Sequence, residues 1–268
     1  MYSCGNLRNR TGTDADSETL QNLLYQLQYR VQVHHDLSSE QIHRLLERES
    51  KRDVHKKYDS FILIILTHGT KEGMCGTDGN LVPYDVIKQY FNNANCEGLR
   101  GKPKIVIIQS CLGKFMDEGV PLKQLDALPA SLPHIEEKWQ QISVADGRPA
   151  LEENKEKDSL LCVTEERRDA DLQRGEPLDE KLPTMADFLV AYATTPDYVA
   201  MRDTKTGTWF IQGIASVFAK YACTEDAVSL FGKVNAHIAK RQTRGLGIKQ
   251  VSSFESTLLK KVYFFPGR

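Results

Sequence analysis

The sequence predicts an α/β fold, a mainly parallel sheet flanked by helices. Three observations carry this. Continuous apolar, β-branched runs appear at FILIILT (61–67), KIVIIQS (104–110) and FLVAYATT (188–195). Runs of this kind mark strands buried on both faces. Helical periodicities separate them, and alternation of the two element types implies a parallel sheet covered by helices. The 268 residues are 40% hydrophobic and 26% charged, an ordinary globular balance with enough apolar material for a core.

Taken in order, Leu20, Leu23, Leu24 and Leu27 fall on one helix face. Ser38 or Ser39 can cap a second helix carrying Ile42, Leu45 and Leu46. FILIILT is the first strong strand, buried on both faces. Asp85 to Phe91 reads as a helix, and KIVIIQS as the second buried strand. FLVAYATT is the third. Phe210, Ile214, Val217, Phe218 and Tyr221 repeat as a helix face. Leu230, Val234 and Ile238 mark another helix, with Thr224 as its N-cap. VYFF (262–265) reads as the last strand.

Lys and Arg total 35 and Asp and Glu 36, a net charge of −1. Near-neutrality argues against a protein held on nucleic acid by charge. No apolar run exceeds six residues, whereas a membrane span needs about 18–20. The start, MYSCGNLRNR, has no apolar leader region, so a cytoplasmic location is expected. Six cysteines without a CxxC pair are expected to be reduced thiols. From Glu152 to Lys181, 17 of 30 residues are charged, which reads as an exposed, disordered linker. Pro121, Pro129, Pro133 and Pro149 break up the stretch before it.

In such sheets, sites form beyond the C-terminal ends of strands. FILIILT runs into His68-Gly69, and KIVIIQS into Cys111-Leu112-Gly113. If the two strands are parallel neighbours, His68 and Cys111 emerge at one edge. An imidazole beside a thiol is the minimum for an activated sulfur nucleophile. The backbone N–H groups of Gly69 and Cys111 can form an oxyanion hole. Taken singly, a cysteine at a strand end is more often a small core residue, and a histidine a satisfied polar group.

QSCLG (109–113) resembles the caspase signature Q-A-C-[RQG]-G, which has its histidine about 50 residues upstream; here the separation is 43. THG (67–69) resembles the family's Ser-His-Gly, and RTGTDAD (10–16) the stretch with its first specificity arginine. AYATTPDYVAMRDTKTGTWFIQ (191–212) resembles the start of the small subunit, in a form closest to nematode cell-death caspases. KKVYFFPGR (260–268) resembles its closing strand.

The resemblance implies the three-layer caspase-like fold and an endopeptidase cutting after aspartate. Cys111 matches the nucleophile, His68 the general base, and Gly69 and Cys111 the oxyanion hole. Arg10, Gln109 and Arg202 match the aspartate pocket, and Trp209 an outer substrate pocket, though Trp209 reads equally as a core residue starting a helix. It also implies a large-subunit-like region (1–146), a charged linker (147–182) and a small-subunit-like region (183–268). Cleavage in the linker would activate the chain, best after Asp146, Asp158 or Asp169, where small residues follow. Protein substrates, self-association as a dimer of large–small pairs, and pairing with another caspase are the implied partners. No cofactor or metal is expected; His34, His35 and His43 lack ligand spacing.

Some positions depart from the family. Leu112 and Ser110 replace Arg and Ala beside the nucleophile, and Ala200-Met201 replace Ser-Trp. The apolar strand expected before RTGTDAD is missing. These departures keep a second reading open, a catalytically impaired homologue that regulates an active caspase. A papain-like protease is excluded, since its nucleophile lies near the mature N-terminus.

Overall fold

A computed structural model describes residues 10, 12–121 and 181–264. Those up to residue 119 and from residue 181 onward make one compact unit.

Helix α1 (Thr13–Gln26) starts after Gly12, whose φ of 89° suits glycine. It buries Leu20, Leu23 and Leu24, with Leu27 buried just beyond its end, as the spacing predicts. Helix α2 (Ser39–Ser50) is capped by Ser38, which accepts the Gln41 N–H while the Gln41 side chain accepts the Ser38 N–H. Strand β1 (Phe61–Leu66) leads into a small antiparallel sheet of β2 (Gly69–Thr70), β3 (Gly73–Cys75) and β4 (Leu81–Val82). Helix α3 (Asp85–Phe91) returns the chain to β5 (Lys104–Gln109), followed by the short β6 (Gly113–Phe115).

Beyond residue 181 come β7 (Phe188–Tyr192), β8 (Asp197–Tyr198), β9 (Arg202–Asp203) and β10 (Gly207–Thr208). Helices α4 (Trp209–Tyr221) and α5 (Ala227–Ala239) follow, and β11 (Ser253–Ser256) ends the sheet.

The central sheet has the order β1-β5-β7-β11. The first three strands are parallel and β11 is antiparallel to β7. Side chains alternate across a strand. Ile105 and Ile107 of β5 therefore join the core under α1, α4 and α5. Val106 and Ile108 join the other core, under α2 and α3. The mainly parallel three-layer α/β architecture is thus as the sequence predicts. Among the described residues no helix is long and apolar enough to cross a membrane.

Four expectations are corrected. Cys75 is disulfide-bonded, so the cysteines are not all reduced thiols. The last strand is Ser253–Ser256, not VYFF; no strand is formed at residues 262–264. Val262 and Phe264 turn into the helix-side core instead, with the Phe264 ring 5.2 Å from that of Phe218. The N-cap of α5 is Asp226, whose carboxylate accepts the N–H groups of Val228 and Ser229. Thr224 is already committed to closing α4, bonding the Tyr221 carbonyl through both its N–H and its hydroxyl. Finally, β1 is half-buried rather than buried on both faces. Its only ladder partner among the described strands is β5.

Candidate active site

Strands β1 and β5 pair in parallel with Leu66 opposite Gln109. The ladder runs one step further, Thr67 N–H donating to the Gln109 carbonyl at 3.1 Å. His68 and Cys111, each two residues past a matched strand end, therefore leave the sheet at the same edge. The neighbours of His68 are pinned to β3. Its carbonyl accepts the Cys75 N–H at 2.8 Å, and the Thr67 hydroxyl donates to the Cys75 carbonyl at 2.7 Å.

Cys111 is a half-buried free thiol whose sulfur accepts the Ala200 N–H at 3.5 Å. The chain just after it is held by Asp197 and Tyr198. Leu112 N–H donates to the Tyr198 carbonyl at 3.1 Å, and Asp197 N–H donates to the Leu112 carbonyl at 3.0 Å. Strand β6 then pairs in parallel with β8. A Cβ on Gly113 would lie 2.0 Å from the Asp197 carbonyl oxygen, so only glycine permits this approach. Leu112, standing where the family carries arginine, is buried. Gly69 is equally confined, because a Cβ there would meet the Tyr84 hydroxyl at 2.5 Å.

Of the residues read as an aspartate pocket, Arg10 and Arg202 lie within electrostatic reach of one another. Arg10 donates from Nε to the Thr13 hydroxyl at 3.3 Å. Burial, and then the like charge of Arg202, pull its pKa down to about 10, while Cys111 and Asp16 pull it up. At neutral pH Arg10 thus remains a cation, held close to the electrostatic reach of both Arg202 and Cys111. Arg202 lies on β9, opposite Thr208 of β10. Gln109 is buried at the end of β5, its Oε1 without a hydrogen-bond partner among the described residues. Trp209, the first residue of α4, is half-buried, packs on the helix-side core and carries the Arg241 guanidinium 5.3 Å from its ring centre. Asp146, Asp158 and Asp169 lie outside the described residues.

A buried acid beside Arg10 and Arg202 escaped the sequence reading. Asp16 is 1% exposed, and its Oδ1 accepts the Thr208 N–H at 2.7 Å. Its Oδ2 is buried without a hydrogen-bond partner among the described residues. Burial raises its pKa, against the Thr208 bond and the nearby Arg10 and Arg202, which lower it. The signal was available: Asp16 stands four residues before Leu20, on the same helix stripe as the buried leucines, where a solvated acid would not be expected. No group of three or more His, Cys, Asp or Glu among the described residues could hold a metal ion.

Residues 2–263 match the family described as Caspase domain. Caspase-2 of Gallus gallus is 34% identical over 266 residues, which are 97% of this chain and 55% of that protein. Cell death protein 3 of Caenorhabditis remanei is 34% identical over 261 residues, 96% of this chain and 47% of that protein. The chain thus spans about half the length of these two relatives. Caspase-3 of Mesocricetus auratus is 30% identical over 264 residues, 96% of this chain and 77% of that protein. The crystal structure of caspase-1 from Spodoptera frugiperda shares the fold, with a TM-score of 0.71 at 24% identity over 96% of this chain and 83% of that one. On the family match over nearly its whole length, this chain belongs to the caspase family.

Proposed function

We propose that the chain is an aspartate-specific cysteine endopeptidase acting in programmed cell death by limited proteolysis. The observation that carries this is the β1–β5 register, which brings His68 and Cys111 to one sheet edge. The electrostatic coupling of Arg10 to both Cys111 and Arg202 supports the aspartate pocket. The printed name of the Caenorhabditis remanei relative supports the cell-death role.

In the reaction, His68 takes the Cys111 thiol proton and the sulfur attacks the carbonyl carbon of the substrate aspartate. The N–H groups of Gly69 and Cys111 stabilise the oxyanion, each donor typically worth 10²–10³ in rate. The C–N bond breaks, His68 returns the proton to the leaving amine, and water hydrolyses the thioester. Arg10 and Arg202 grip the substrate carboxylate through charge-assisted bonds. A neutral side chain would leave two half-desolvated cations unpaired, a mismatch that can cost roughly 10⁴ in rate.

Activation by self-cleavage after Asp146, Asp158 or Asp169, a dimer of large–small pairs, and a cytoplasmic location complete the proposal. The alternative, an impaired homologue that pairs with an active caspase, is favoured by one observation. Leu112 stands buried where the family has an arginine beside the nucleophile.

The deciding experiment is turnover of a fluorogenic peptide ending in Asp, beside its Asn counterpart and a Cys111→Ala control. Cleavage after Asp alone, lost in Cys111→Ala and lowered by about 10⁴ in Arg202→Ala, supports the endopeptidase. Equal rates on Asp and Asn peptides sink the pocket, and no turnover favours the impaired homologue. New N-termini at Gly147, Ser159 or Ala170, absent from Cys111→Ala, would identify the activating cuts.

A further inference from the structure

Ser110 departs from the alanine usual before the nucleophile, and its hydroxyl has a specific partner. The Tyr84 and Ser110 hydroxyls lie 2.7 Å apart. Ser110 is buried, and Tyr84 stands as the residue before α3, where the Ile87 N–H donates to its carbonyl at 3.1 Å. The same phenol oxygen packs directly over Gly69. A Cβ built there would meet it at 2.5 Å, and would meet the Ser110 Cβ and the Gly73 carbonyl oxygen at 3.0 Å. One hydroxyl therefore touches both backbone segments proposed to supply oxyanion donors, Gly69 from the β1 side and Ser110-Cys111 from the β5 side.

The ring is itself braced. Tyr192 of β7 meets it edge to face, with centroids 6.0 Å apart at 81°. Burial pushes the Tyr84 pKa up to about 12, so the phenol remains protonated at neutral pH. It acts as a fixed hydrogen-bonding strut and not as a proton carrier.

We propose that Tyr84, through its hydrogen bond to Ser110, is a positioning residue that sets the spacing between the Gly69 and Cys111 N–H groups. This rests on the endopeptidase reading above. Without the phenol oxygen, the Ser110 hydroxyl loses its partner and the contact over Gly69 opens. The two donors then no longer converge on one oxygen. The loss falls on the tetrahedral state, which carries the oxyanion, and not on peptide binding.

The test compares Tyr84→Phe, Ser110→Ala and the double variant with the wild-type chain. Peptide turnover is measured beside the rate of Cys111 alkylation by iodoacetamide, a displacement at carbon that forms no oxyanion. Each single variant should lower kcat about tenfold, a fraction of one donor's worth, with KM changed less than twofold. Alkylation should be unchanged. The double variant should be no slower than the worse single one, because both remove one interaction. Unchanged kcat, additive losses, or an equal fall in alkylation overturns the proposal. Ser110→Ala restores the family's own residue and guards against a misfolded Tyr84→Phe. A wild-type chain that alkylates but does not cut the peptide overturns the endopeptidase reading, and this proposal with it.

Discussion

Strands β1 and β5 are nearly interchangeable as sequences, FILIIL against KIVIIQ, and they pair along their whole length. Yet every residue of β5 is buried and every residue of β1 is only half-buried. Composition does not make the difference. The second neighbour does, because β5 lies between β1 and β7 while β1 is bonded on one side only among the described strands. The two halves of the proposed catalytic pair thus stand on unequal ground, Cys111 beyond a strand paired on both sides and His68 beyond one with a single partner among the described strands.

The largest test of this contrast is a matched truncation. Ile107 on β5 is 3% exposed, so Ile107→Ala should cost about 3–4 kcal/mol in urea unfolding. Ile64, its ladder partner on β1, is half-buried and should cost about 1–2 kcal/mol when cut to Ala. Equal losses would break the comparison, and would mean that something outside the described residues covers β1.

Amide exchange sharpens it at single residues. The N–H groups of Phe61 and Thr67 point to the β5 side, donating to Pro103 and Gln109. Strand alternation then aims those of Leu63 and Ile65 the same way, and those of Ile62, Ile64 and Leu66 outward. The outward set should exchange about 10²-fold or more faster than the inward set. Uniform protection along β1 would reveal a further strand against its outer edge.

A smaller effect compares charge with apolar burial. The pKa of Asp16 is raised mainly by burial, so the folded state prefers the protonated acid. The stability it contributes is fully present below the ordinary carboxylate range and is lost as pH rises through its raised folded value. Asp16→Asn keeps an oxygen for Thr208 and removes the charge. Its melting midpoint relative to wild type should therefore improve between about pH 4 and pH 7. A constant difference across that range would mean that Arg10 and Arg202 fully compensate the buried charge.

The legible parts of the molecule were those whose signal is local. The three apolar strands announce themselves, and the ends of two of them point to His68 and Cys111. Ser38 and Gln41 spell out their capping box. Strand β11 was illegible because Ser253–Ser256 is a polar edge, made a strand only by pairing with β7. VYFF misled because apolar side chains fit a helix-facing core as well as a ladder. Arg10 and Arg202 read as surface charges until the family resemblance joined them. The links from Asp16 to Thr208 and from Tyr84 to Ser110 are long-range, and no periodicity encodes them.

The Asp16–Thr208 bond spans 192 positions of chain. On the ribosome, the N-terminal segment bearing Arg10 and Asp16 emerges long before its anchor is synthesised. The strands leading to His68 and Cys111 can pair earlier, but β9, β10 and the start of α4 must follow before the pocket has its second arginine. Contacts so distant in sequence form late, after the costly closure of a long loop. On the endopeptidase reading, a nascent chain carries Cys111 for the 91 positions made before Arg202, without the second arginine of the pocket proposed to recognise aspartate.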